Sequence, residues 1–204
     1  MVDFELAEKY SLEDLARIVK ILRAPGGCPW DAEQTHKSIR DDLLEESCEA
    51  MEAIDLGDME LLREELGDVL LQVVFHASLA EQDKQFDLSG VITGVCRKLI
   101  TRHPHVFGDV TADGVDGVLA NWEAIKRRQH GKQTIEQSMR GVAKTLPPIM
   151  RAGKLKRLAK RANIQADSHE LDAAVAALEE SQQALNDACE RYITSCNRGE
   201  SPLL

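Results

Sequence analysis

Apolar residues along the chain recur at the three- and four-residue steps of helices, and no alternating strand pattern of comparable strength appears. Leu12, Leu15, Ile18, Val19 and Leu22 form one stripe behind the capping residue Ser11, and Pro25-Gly26-Gly27 ends it. After a loop through Cys28-Pro29-Trp30-Asp31, a second helix is predicted over about 38–56. Ile39, Leu43, Leu44, Cys48, Met51 and Ile54 should face inward, with Gly57-Asp58 as the break. A third helix, about 60–82, carries Leu62, Leu66, Val69, Leu70, Val73, Val74 and Ala77 on more than one side, which predicts a place near the centre of a bundle. Asp87 should cap a fourth helix bearing Leu88, Val91, Ile92, Val95 and Leu99, which stops before His103-Pro104. A glycine-rich stretch over 108–117 leads to a shorter predicted helix near 118–128. A polar arm over 130–145 follows, then a helix opened by Pro147. A last helix should run from Asp167, with Glu170 at capping-box spacing, to about Cys196. The predicted class is all-α.

Composition narrows the function. With 204 residues, 43% apolar and 4% aromatic, the chain suits one substantial domain built mainly on aliphatic side chains. A formal charge of −10 argues against stable nucleic-acid binding, which favours a basic face, but not against phosphate ligands carried by a cation. Five scattered cysteines without C-x-x-C spacing indicate neither a zinc site nor a disulfide framework. The N-terminus does not read as a signal peptide, and no apolar run approaches the roughly 20 residues that span a bilayer. A reduced, cytoplasmic setting is expected. Eight basic and no acidic residues lie between Arg140 and Arg161, either as a solvated or partner-facing helix or as a phosphate-attracting wall.

The candidate chemistry lies in Glu45-Glu46-Ser47-Cys48-Glu49 and, after a short turn, Glu64-Glu65-Leu66-Gly67-Asp68. Residues three apart on a helix are neighbours, so Glu46 with Glu49, and Glu65 with Asp68, form two acidic pairs. Antiparallel helices would let the pairs face each other. Four converging carboxylates repel unless they take up protons or a hard divalent cation. Mg²⁺ or Mn²⁺ suits the all-oxygen set better than zinc. Gly67, costly inside a helix, suggests a packing constraint. Each pair alone reads first as ordinary solvated helix surface, and the two together on consecutive helices point to a metal site.

These residues resemble the signature of the all-α nucleoside triphosphate pyrophosphohydrolases. Gly27-Cys28-Pro29-Trp30-Asp31, Leu43-Leu44-Glu45-Glu46, Arg102-His103-Pro104-His105-Val106-Phe107, Trp122-Glu123-x-x-Lys126 and Leu146-Pro147 are similar to the MazG family in particular, over about residues 12–162. The resemblance implies a four-helix core with additional C-terminal helices, working as a homodimer or higher homo-oligomer. It implies hydrolysis of a nucleoside triphosphate to the monophosphate and pyrophosphate, with Mg²⁺ held by Glu46, Glu49, Glu65 and Asp68. Glu45 would lie beside the metal or orient the attacking water. Lys98 and Arg102, four apart on one helical face, would meet the phosphates. Trp30 would either stack on the base or ribose or anchor its loop. Gln34 and His36 are weaker candidates, and Ser47, Cys48 and Cys96 read as helix packing. The alternative is a catalytically weak regulatory or interaction module that keeps the fold.

The chain also departs from the family. Asp41-Asp42 replaces a frequent Pro-Tyr and adds acidity one turn before Glu46, while Thr101 stands where Arg is common. The expected organisation is a MazG-type domain over 1–162 and a helical extension over 163–204. Within that extension Glu179-Glu180-Ser181-Gln182-Gln183 resembles a second E-E-x-x-E motif that has lost its last ligand.

Overall fold

The Ser11 hydroxyl accepts the Asp14 amide hydrogen while Asp14 returns a bond to the Ser11 amide, and this capping box starts α1, Leu12–Arg23. The computed structural model describes residues 4–109, 134–165 and 167–196, with the isolated positions 114, 118 and 125. Two compact units emerge, 1–107 and 108–204. Among the described residues every regular element is helical.

The first unit continues with α2 (Pro29–Glu33), α3 (Arg40–Leu56), α4 (Met59–Gln82), α5 (Leu88–Arg102) and α6 (Pro104–Phe107). Gly57, at φ +70°, supplies the left-handed cap of α3, and the next residue, Asp58, accepts hydrogen bonds from the Glu60 and Leu61 amides to begin α4. Two residues therefore reverse the chain, and α3 packs along α4. Ala50 and Ala53 are the buried residues of α3, and such small side chains allow close approach. Val19, Ile39, Val74, Phe75 and Leu79 form the core, joined by Leu12, Leu15, Ala16, Leu71 and Leu88. Burying each large aliphatic side chain contributes about 1.5–3 kcal/mol. Polar ties frame this core: Lys20 pairs with Glu81 at 2.7 Å, and Arg23 donates to the Asp31 carbonyl at 2.9 Å and to Gln82 at 2.8 Å. Asp87 caps α5 through the Gly90 amide, as expected.

Several expectations are corrected. The Cys28–Asp31 loop contains α2, because Pro29 occupies the first helical position with its φ already set. On α3, Leu44, Cys48, Met51 and Ile54 are exposed rather than inward, and on α4 so are Leu66 and Leu70. These stripes have helical period but face away from the core of this unit, which α1, Ile39 and the other side of α4 fill. Cys96 is likewise exposed.

In the second unit, α7 (Ile135–Arg140), α8 (Pro148–Arg161) and α9 (His169–Cys196) are described. A Thr134–Gln137 capping box places α7 inside the stretch expected to be an arm. Pro147 caps α8 as foreseen, and Asp167 accepts from the His169 amide just before α9. α8 packs with both α7 and α9, and Lys156 pairs with Asp172. The basic helix thus meets an acidic one within its own unit. The predicted helix near 118–128, including Trp122, lies outside the described residues except for positions 118 and 125.

Candidate functional site

The α3–α4 hairpin brings Glu46, Glu49 and Glu65 together, with one carboxylate oxygen from each within 4.8 Å of the others. Glu49 is exposed, Glu46 half-buried and Glu65 buried at 8% exposure. A glutamate so enclosed, on the face α4 turns to α3, is not a casual surface charge. The Glu46 carboxyl is pushed above its usual range, first by desolvation, then by the negative charges of Asp68, Glu49 and Glu65, and by a carboxyl hydrogen bond with Glu49. Glu65 is raised in the same sense by desolvation, by the charge and hydrogen bond of Glu49, and by Asp68 and Glu64. Both carboxyls therefore bind protons more tightly in the fold than in an unfolded chain. Their contribution to stability is present when protonated and is lost as pH rises through the elevated folded pKa. A divalent cation relieves the same repulsion at neutral pH. The donor set is all oxygen, which suits Mg²⁺ or Mn²⁺.

The remaining expected site residues divide by position. Asp68 stands outside the set of mutual 4.8 Å distances, yet its charge bears on both Glu46 and Glu65. Glu45 is exposed on α3, one turn before Glu49 and on the flank of the cluster. Lys98 is exposed and Arg102 buried, one turn apart on α5. Trp30 projects from α2 with 63% of its surface exposed. Gln34 holds the Trp30 carbonyl and accepts from Ser38, so it ties the α2–α3 connection together. Ser47 hydrogen-bonds the Leu43 carbonyl.

Gly67 overturns one expectation. Among the described residues, leaving aside its own helix backbone and chain neighbours, nothing lies within 4 Å of a Cβ placed there, so no such contact within the chain requires the glycine.

Two polar features escaped the sequence reading. Gln72 is buried on α4 one turn beyond Asp68, and its Oε1 has no hydrogen-bond partner among the described residues. Its signal was a lone amide inside Val69-Leu70-Leu71-Gln72-Val73-Val74. His36 and His76 share a hydrogen bond between Nδ1 atoms at 2.8 Å, with rings nearly parallel at 5.1 Å. Forty residues separate them, and no local spacing announces the pair. Burial, and secondarily His36, hold the His76 pKa below the ordinary value.

These helices define a class: an all-helical bundle whose central hairpin presents an acidic cluster suited to a hard cation. The profile of the MazG nucleotide pyrophosphohydrolase domain matches residues 34–107, which takes in the whole of that hairpin. Over residues 34–107 the chain is therefore similar to the MazG family. The chain is 40% identical over 147 residues to an Escherichia coli protein named nucleoside triphosphate pyrophosphohydrolase, covering 72% of this chain and 56% of that one. It is 48% identical over 121 residues to the Thermotoga maritima nucleoside triphosphate pyrophosphohydrolase/pyrophosphatase MazG, covering 59% and 46% respectively. A Bacillus subtilis protein named uncharacterized protein YabN is 48% identical over 141 residues, 69% of this chain and 28% of its own. The chain thus spans between about a quarter and somewhat over half of the length of these relatives. A crystal structure of a mazG-related protein from Thermotoga maritima aligns with 56% of this chain and 98% of its own at a TM-score of 0.49 and 27% identity. No helix among the described residues is long and apolar enough to cross a membrane.

Proposed function

We propose that this protein hydrolyses nucleoside triphosphates to nucleoside monophosphate and pyrophosphate in a Mg²⁺-dependent reaction, with Mn²⁺ as a substitute, and so clears unwanted nucleotides from the pool. The observation that carries the reading is the Glu46–Glu49–Glu65 cluster on a MazG-like hairpin. Glu46, Glu49, Glu65 and Asp68 would hold the metal. When bound, Mg²⁺ supplies charge neutralisation and polarises phosphoryl oxygens.

The chain's own residues account for the rest. Water oxygen bonds to phosphorus as the α–β anhydride link opens, and the water proton needs an acceptor. Glu45, on the flank of the cluster, orients that water and takes its proton, with the Glu46 carboxylate as its neighbour. Lys98 and Arg102 meet the negative charge that gathers on the phosphate and leaving-group oxygens. Trp30 offers an exposed aromatic face to the base or ribose. The exposed apolar stripes on α3 and α4 favour a homodimer or higher homo-oligomer, since such surface is seldom left to water.

Pyrophosphate release from a nucleoside triphosphate mixture with Mg²⁺ tests the reading. Wild type should turn over, and Glu49→Gln should lose at least about 10²-fold in rate. Equal release by both proteins would reject the proposed site, and no release by either would leave a binding module.

A further inference from the structure

The 28 residues of α9 reach about 42 Å. Leu171, Leu178, Leu185 and Tyr192 recur along it at seven-residue intervals, and Val175, Gln182 and Cys189 fall between them at alternating steps of four and three. That is the a/d seam of a coiled coil, with d apolar throughout. A strict seven-residue period drifts around a straight helix by about 20° per heptad, and a partner helix that supercoils along with it keeps the seam facing it.

Within the second unit, α8 packs against α9 and the Lys156–Asp172 ion pair fixes that contact near the start of α9. Exposure then rises along the seam: 36% at Leu171 and Leu178, 62% at Leu185 and 72% at Tyr192. The beginning is partly exposed, with only Val175 half-buried, and the far half is open.

We propose that the 178–196 half of α9 pairs with the same helix of a second copy of this chain as a parallel, in-register coiled coil. The seam residues themselves select this occupant. Gln182 is a polar amide at an a position, and a parallel pair sets it against its own counterpart, where two amides can exchange hydrogen bonds. An antiparallel pair sets a beside d, which here is always Leu or Tyr, and leaves that amide without an amide partner. An unrelated apolar partner would leave it unpaired as well. Charge does not oppose the pairing. Glu179, Asn186 and Ile193 occupy the e positions and Ser181 and Ala188 the g positions, so no like-charged pair meets across the seam. Under three heptads hold weakly in isolation, so covalent capture is the suitable probe.

In the proposed pair Cys189 faces Cys189 of the second copy at a spacing that disulfide geometry accepts. Asp187, by contrast, occupies the outer f position. The test is oxidation of the full chain with diamide, followed by non-reducing electrophoresis and peptide mass mapping of the cross-links. Wild type should form a Cys189–Cys189 dimer at least about tenfold faster than a Cys189→Ser, Asp187→Cys variant forms its 187–187 link. Adding Leu185→Asp to wild type should remove that advantage. Equal rates for the two cysteine positions, or a Cys189 rate indifferent to Leu185→Asp, would overturn the pairing.

Discussion

At the scale of single residues, burial and neighbouring charge decide which side chains matter. Glu46, Glu49 and Glu65 stood out in the sequence because two acidic pairs at helical spacing flanked a short turn, and the fold brings those three together. Gly67 misled for an equally plain reason: helix cost was visible, but the lack of a described neighbour, outside its own helix, where its Cβ would stand was not. The His36–His76 contact was illegible because it depends on long-range packing. Its consequence has a definite sign. A histidine whose folded pKa lies below its unfolded value adds stability above the ordinary range near 6.5 and loses it as pH falls through that range. Thermal melts between about pH 7.5 and 5.5 should therefore show a larger loss for wild type than for His76→Gln. Parallel curves for the two proteins would contradict this.

At the scale of elements, caps and breaks were the most legible features. Ser11, Gly57-Asp58, Asp87 and Pro147 each end or begin a helix where their chemistry demands it. The orientation of helix faces was less legible. α3 and α4 each show apolar period on a side that this unit leaves uncovered, because period alone reports an apolar surface and not what covers it. Asp58 matters doubly, since it caps the helix that carries Glu65 and sets the hairpin that brings it to Glu46. Asp58→Ala should cost about 1 kcal/mol in a denaturant melt, with unchanged m-value. A cost near zero would mean that the turn is held by Gly57 and packing alone.

At the scale of the whole molecule, two compact units carry separate surfaces. In the first, Leu66 and Leu70 lie one turn apart on the exposed side of α4, and Leu44, Cys48 and Met51 form a similar stripe on α3. If these stripes are where copies meet, Leu70→Glu should shift the sedimentation coefficient to a smaller species while far-UV circular dichroism stays helical. An unchanged coefficient would move the interface elsewhere. Charge also acts at this scale. A net −10 would repel a free polyphosphate, so binding as proposed requires a cation at the carboxylates and the positive charge of α5 to offset that field.

Cation binding at the α3–α4 hairpin is the claim beneath all the others, and titration of Mn²⁺ followed by electron paramagnetic resonance reads it without reference to turnover. Wild type should remove free Mn²⁺ signal saturably and give it back as Mg²⁺ is added, whereas Glu49→Gln should bind at least about tenfold more weakly. Identical Mn²⁺ curves for the two proteins would contradict the account.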